Sequence, residues 1–207
     1  TLASIISFIE QSGYTLIENH IYKTMMYKVP QKRERLILIG VRNDLVDKLI
    51  FERPSYYNRI LTVRDALCKG ELYDTDVPLS IGQKYPKRKE EIMSYVPEGG
   101  YWRDLPLDLQ KEYMKGSFNL AGGKTGMAKR LSFDEPSLTL TCSPAQKQTE
   151  RCHPIENRPL TTREYARLQT FPDDWIFKGS ANQIYKQIGN AVPVNFASAL
   201  GRSIIRM

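Results

Sequence analysis

The sequence predicts an α/β fold. Near its start Leu2, Ile5, Ile6 and Ile9 recur at the i, i+3, i+4, i+7 spacing of an amphipathic helix. Further on, Leu36-Ile37-Leu38-Ile39-Gly40-Val41 is apolar on both faces, the pattern of a strand buried in the middle of a covered sheet. Helical signals resume from Thr161 onward. Helix, extended stretch and doubly buried strand in that order make the closing part of an α/β sheet.

Taken in order, the first helix is closed by Gly13, and Tyr14 to Tyr27, rich in Ile, Tyr and Thr, reads as extended. The strand from Leu36 follows. From about Leu45 prolines, glycines and tyrosines multiply and periodicity fades. Leu61 to Cys68 is a short helix with Thr62 as N-cap. Lys84-Tyr85-Pro86-Lys87-Arg88-Lys89 reads as a basic loop, Gly99-Gly100-Tyr101-Trp102-Arg103 as a hinge, and Gly122-Gly123-Lys124-Thr125-Gly126 as a turn. Ser137 to Thr141 alternates cleanly, as a strand does. Thr161 or Thr162 caps a helix through Gln169, which Pro172 stops. Gly189-Asn190-Ala191-Val192-Pro193 makes a turn, and Pro193 opens a last helix through Phe196, Ala199, Leu200 and Ile204.

At 207 residues the chain is long enough for one large domain or two small ones. A formal charge of +7 favours an anionic partner, and arginines and lysines lying beside aromatic residues make nucleic acid the leading candidate. No apolar run reaches the length of a bilayer span. Three cysteines, Cys68, Cys142 and Cys152, are too few and too irregular for a disulfide framework, so a reducing cytoplasm is expected. The opening Thr1-Leu2-Ala3-Ser4, already in helical rhythm, reads as the interior of a longer polypeptide.

The stretch Pro30-Gln31-Lys32-Arg33-Glu34-Arg35 carries the most chemistry. Strand alternation puts Arg33 and Arg35 on one face, with Lys32 and Glu34 on the other. Two guanidiniums on a rigid strand suit a phosphate or the polar edge of a base; a strand end with solvated charges is the plain alternative. Gly122-Gly123-Lys124-Thr125 lacks the wider glycine spacing and the preceding strand of a phosphate loop. Cys142, Cys152, His153 and His20 lack the paired spacing of a structural zinc site, so no metal is expected. Cys142, at the end of an expected strand, is expected to be a partly buried, inert thiol.

Three blocks converge on one family. Tyr27 to Arg35 with Leu36 to Gly40, then Arg158-Pro159-Leu160-Thr161-Thr162-Arg163-Glu164-Tyr165-Ala166-Arg167-Leu168-Gln169-Thr170-Phe171-Pro172-Asp173, then Gln187-Ile188-Gly189-Asn190-Ala191-Val192-Pro193-Val194 resemble, in order, signature blocks of the DNA cytosine-5 methyltransferases. The resemblance spans nearly the whole chain, more loosely in the middle. It implies a Rossmann-like methyltransferase sheet, S-adenosylmethionine as methyl donor, double-stranded DNA as partner and a flipped target cytosine. Arg35 is then the contact to the cytosine, with Arg33 and Gln31 orienting it. Asn190 and the Ala191 backbone line the donor pocket. Arg163, Arg167 and Gln169 are structural support, on a helix that organises the recognition domain.

By the same resemblance, residues 1–46 and 156–207 belong to the catalytic domain and its hinge, and 47–155 form the target-recognition domain. Lys87, Arg88, Lys89, Arg103, Lys124, Lys129 and Arg130 are its candidate DNA contacts, each equally readable as a solvated charge. The family's Pro-Cys nucleophile motif, its Phe-x-Gly-x-Gly donor turn and its Glu-Asn-Val block are not in the sequence. The expectation is therefore the C-terminal half of such an enzyme, inactive alone and partnered by an N-terminal catalytic half, in a prokaryotic restriction–modification setting. A non-catalytic DNA-binding specificity subunit or regulator is the alternative.

Overall fold

The computed structural model describes residues 1–207. Helix α1, Leu2–Gln11, is capped by Thr1, whose Oγ1 accepts the Ser4 N–H, and the chain turns at Gly13, where φ of +83° suits a residue without Cβ. No residue of α1 is buried, and Phe8 is 70% exposed. Strand β1, Tyr14–Lys23, pairs antiparallel with β3, Glu34–Arg42, from Tyr14 opposite Arg42 to Lys23 opposite Glu34, with a bulge between Leu16 and Glu18. The extended stretch expected to reach Tyr27 breaks earlier. Thr24–Tyr27 is a 3-10 turn that leaves Lys28 left-handed at φ 58°.

Between these strands Gln31–Lys32 forms the short β2, which pairs in parallel with β4, Ser137–Leu138. The strand expected to run to Thr141 is paired only over those two residues; Leu140 is instead buried in a core. The expectation that Leu36 to Val41 is central in a covered sheet also needs correcting. Within this chain β3 pairs with β1 alone, only Val41 of that run is buried, and Leu36 is 42% exposed. The run has the composition of a doubly covered strand, but this chain supplies one neighbour and little cover.

Three apolar clusters hold the molecule together. One joins helix α2, Val63–Leu67, to α5, Thr162–Leu168, and α6, Ala181–Asn190, with Leu131, Leu140 and Leu160 between them. A second gathers α3, Lys87–Ser94, and α4, Leu107–Met114, around Trp102, Met127 and Cys152. The third stacks Tyr22 and Tyr27 on Phe196 of helix α7, Val194–Ile205, with ring centroids 5.5 and 5.2 Å apart. Packing thus crosses residue 155, because Val63 and Leu140 share a core with Leu160 and Ile188, whereas the second cluster lies wholly within Tyr85 to Cys152.

Three helices differ from expectation, and α4, in a stretch where the sequence suggested no helix, is the first. Lys87, Arg88 and Lys89 are the first turn of α3 rather than a loop, since Ile92, Met93 and Val96 bury one face behind them. Helix α6 was not expected at all. It starts at a reciprocal cap, in which Ser180 N–H donates to Gln183 Oε1 at 2.8 Å and Ser180 Oγ accepts from Gln183 N–H, and it buries Ile184, Tyr185 and Ile188. It runs through Asn190, so the turn begins at Ala191. Helix α5 is capped by Thr161, whose N–H donates to Glu164 Oε2 at 2.7 Å.

Candidate functional site

Gln31, Arg33 and Arg35 turn inward along β2 and the start of β3, while Lys32 and Glu34 are exposed, as strand alternation requires. Arg33 lies at the break between the two strands and is buried. Its Nη1 donates to Leu140 O at 2.9 Å, and its Nη2 donates to Gly189 O at 2.9 Å and to Ala191 O at 3.3 Å. No carboxylate pairs with it, and its Nε is buried without a partner. Burial pushes the Arg33 pKa down to about 10, and the neighbouring Arg35 charge acts in the same sense. Arg35 is half-buried opposite Tyr22, with Nη1 on Glu34 O at 2.6 Å. Burial lowers its pKa too. Arg33, with its Nη atoms spent on carbonyls, braces the strand, and half-buried Arg35, without a carboxylate partner, is the guanidinium left for an anion or the acceptor edge of a base.

The last turn of α6 closes on this pair. Gly189 packs so tightly against the unpaired segment after β4 that an added Cβ would stand 2.1 Å from Thr141 O. Asn190 is exposed, and Cys142 Sγ donates to its Oδ1 at 3.4 Å. Cys142 is itself exposed, correcting the partly buried thiol expected from sequence: β4 pairs over only two residues, and the chain reaches the surface just past buried Leu140. Ala191 O accepts from both Arg33 and Gln169 Nε2. Gln31, Arg33, Gln169, Asn190 and Ala191 therefore meet at one place. Sequence reasoning missed Tyr165, whose hydroxyl donates to Thr141 O at 3.0 Å and fixes that segment; its position within the second block was the available signal.

Arg167 is fully buried. It forks onto Asp173 at 2.5 and 3.0 Å, donates to the carbonyls of Thr75 and Asp76, and lies 4.2 Å from the Tyr73 ring centroid. Arg163 donates to Pro172 O and Trp175 O, bracing the turn that ends α5. The buried carboxylate of α5, Glu164, is held by Arg158 through two bonds of 2.8 Å.

The candidate DNA contacts divide sharply. Arg130 is buried, and its guanidinium donates to the carbonyls of Met93, Val96, His153 and Glu156 and to Asn157 Oδ1. It cannot reach a phosphate, and its expected role is corrected to that of a core brace. A sequence shows the charge but not the loop carbonyls that converge on it. Lys129 Nζ donates to Gly99 O, and burial lowers its pKa; Lys124 Nζ caps Ser117 O and Leu120 O. Lys89 is tied to buried Glu150 at 2.5 Å. Arg88 is exposed but paired with Glu112 and Glu91. Lys87 and Arg103 are exposed and carry no ion pair; Arg103 lies 5.2 Å from the centroid of the Trp102 ring.

The fold is mixed α/β, with a strand arginine, Arg33, bonded to the end of helix α6. The chain is a member of the C-5 cytosine-specific DNA methylase family, whose model matches residues 1–206. It is 72% identical over 207 residues to the type II methyltransferase M.PspPI of Psychrobacter sp. (strain TA137), and 68% identical over 207 residues to M.Eco47II of Escherichia coli. Both alignments take in 100% of this chain and 50% of the relative, so the chain spans about half the length of the curated relatives it matches. The Entamoeba histolytica methyltransferase EhMeth shares the fold with a TM-score of 0.55 at 15% identity, over 99% of this chain and 57% of that one. No helix is long and apolar enough to cross a membrane.

Proposed function

We propose that this chain is the C-terminal half of a sequence-specific DNA cytosine-5 methyltransferase of the restriction–modification type. It holds the flipped cytosine and one wall of the methyl-donor pocket, and an N-terminal half, on the same polypeptide or a separate subunit, brings the nucleophile. The observation that carries this is the meeting of the three signature blocks at Ala191 O, which accepts from Arg33 of the first block and from Gln169 of the second. The open edge of β3, with Leu36 and Ile21 exposed, supports a sheet completed by the other half.

Methylation at carbon 5 needs a thiolate on carbon 6, a proton balance at the ring and a base removed from the stack. S-adenosylmethionine supplies an electrophilic methyl group when bound. Asn190 offers an exposed amide and Val192, 45% exposed, an apolar surface beside it; this neutral pair fits a ligand with a polar amino-acid end and apolar faces. Arg35 donates to the acceptor edge of the cytosine, and Arg33 fixes the strand that presents it. Residues between Tyr85 and Cys152, built on their own core, read the duplex in the major groove, with Lys87 and Arg103 free for phosphates. The setting is the bacterial cytoplasm, on DNA.

The test is reconstitution. This chain is mixed with a separately made N-terminal half, labelled S-adenosylmethionine and a cytosine-containing duplex. Methyl transfer that needs both halves is expected. Persistent inactivity beside tight, specific duplex binding by this chain alone would instead identify a non-catalytic specificity subunit.

A further inference from the structure

The proposed function leaves two fully buried glutamines without a chemical task. Gln31 Nε2 donates to Gln169 Oε1 at 3.0 Å and to Leu168 O at 3.3 Å, and Gln31 Oε1 accepts the Leu140 N–H at 3.0 Å. Gln169 Nε2 then donates to Ile188 O at 2.7 Å and to Ala191 O at 3.3 Å. These bonds fix which way the Gln169 amide faces: two carbonyls accept only from nitrogen, so its oxygen must turn to Gln31. Arg33 closes the ring onto Leu140 O, Gly189 O and Ala191 O.

The main chain at the same point grips the next helix. Gln169 O accepts the Val194 N–H at 3.0 Å, and Thr170 Oγ1 accepts the Asn195 N–H at 2.9 Å. Pro193, the N-cap residue of α7, makes no side-chain cap of its own, so Thr170 supplies that cap from outside. Thr170 does so from φ 60°, a left-handed conformation that costs a β-branched residue strain and persists only where its surroundings fix it. Gln169 and Thr170 thus hold the end of α6 by a side chain and the start of α7 by a carbonyl and a hydroxyl. Only Ala191, Val192 and Pro193 lie between, with Asn190 at the edge. A buried polar network specifies one geometry more than it adds stability, and a core that needed only stability would be served by apolar side chains of this size.

We infer that Gln169 is a positioning residue for the methyl donor. It acts through Ala191 to set Asn190, with Gln31 orienting its amide and Thr170 fixing the far side of the turn. The inference rests on the proposed role of Asn190 in the donor pocket.

The experiment uses the complete enzyme, this chain together with its N-terminal half, and S-adenosylhomocysteine as the binding probe. Gln169→Met keeps length and volume and removes both donors. Losing one buried hydrogen bond's worth of placement is expected to weaken probe binding, and to raise KM for S-adenosylmethionine, about tenfold. The kcat at saturating donor and the duplex affinity are expected to stay close to those of the parent. In the Asn190→Ala background the same change is expected to add less than about twofold, because residues acting through one another are not additive. A full additional loss in that background, or a fall in kcat and duplex affinity with donor binding unchanged, overturns the inference. Should Gln169→Met lose cooperative unfolding, Gln31→Met carries the test, with a smaller loss confined to the donor expected and an unchanged donor affinity overturning it. Asn190→Ala separates this from the underlying reading. If Asn190→Ala leaves probe binding unchanged, the donor-pocket role falls and the inference with it; if Asn190→Ala weakens binding and neither glutamine variant does, the inference alone falls.

Discussion

Gly189→Ala puts the closeness of α6 to the Thr141 segment to a quantitative test. An ideal Cβ at Gly189 would stand 2.1 Å from Thr141 O, 2.6 Å from Thr141 C and 3.0 Å from Cys142 N. An unstrained contact with carbon needs about 3.5 Å, so one backbone must retreat by more than ~1 Å. The Thr141 carbonyl cannot simply swing aside, since it accepts the Tyr165 hydroxyl. Overpacking of this kind costs about 1–3 kcal/mol, and here the upper end applies because the obstacle is backbone. Alanine in place of glycine in a helix returns roughly 1 kcal/mol. The net is a loss of about 2 kcal/mol, which for a chain of this size lowers Tm by about 4–8 °C. Gly201 in α7 is the control, with no atom within 4 Å of an added Cβ. Gly201→Ala is expected to gain about 0.5–1 kcal/mol and raise Tm by a few degrees. Melting followed by far-ultraviolet circular dichroism reads both. A Gly189→Ala protein melting at or above the parent would refute the contact, because helix propensity alone would then set the sign.

Four further outcomes are expected. In reconstituted enzyme Arg35→Ala should depress turnover more than duplex binding, and an effect confined to nonspecific affinity would remove its base contact. Lys87→Ala and Arg103→Ala should each reduce the salt dependence of duplex binding by about one unit of slope, read from affinities across a salt series. Arg130→Met should leave that slope unchanged but destabilise the fold by several kcal/mol in denaturant titration, because buried carbonyls left without a donor cost about 1–3 kcal/mol each. His153 gives a pH dependence. Burial lowers its pKa below the ordinary 6.5, against the carboxylates of Glu164 and Glu156 and alongside Arg158 and Arg130, and its Nδ1 accepts the N–H groups of Ile155 and Glu156. The folded state thus binds this proton less readily than the unfolded chain. The His153 contribution is complete above pH ~6.5 and is lost as pH falls through the lower folded value. Melts between pH 5 and 8, with His153→Asn flattening that part of the profile, would check it.

Where regularity lay in residue type, it was legible in the sequence. The strand from Leu36, though not its cover, the alternation of Arg33 and Arg35 against Lys32 and Glu34, and the Thr161 cap with Glu164 all appear in the structure as periodicity or capping chemistry requires. Helix α6 was hidden although Ser180 and Gln183 spell a capping box, because Gly189 to Pro193 reads as a turn and the helix ends inside that stretch, at Asn190. Helix α3 was hidden because its first turn is three basic residues, an unfavourable charge at a helix N-terminus that pairing of Arg88 with Glu91 and Glu112 offsets. The fate of Arg130, Lys124 and Lys129 was illegible for a different reason. Their partners are backbone carbonyls, which every residue carries, so nothing in residue identity marks them. The ring of Gln31, Arg33 and Gln169 is of the same kind: all three stood in signature blocks, but their backbone partners, the Ala191 carbonyl shared by Arg33 and Gln169 among them, emerge only once three distant segments fold together.

The division of labour between two halves is tested most directly with a duplex carrying 5-fluorocytosine at the target. Attack on carbon 6 and methyl transfer to carbon 5 then leave no proton at carbon 5 to remove, so the nucleophile stays bonded to the base. Incubation with both halves and S-adenosylmethionine, followed by mass analysis of the trapped complex, is expected to give a covalent adduct on the N-terminal half that forms only when this chain is present. It should vanish with Arg35→Ala. An adduct on this chain, at the exposed Cys142 or elsewhere, or one that the N-terminal half forms unaided, would contradict the account.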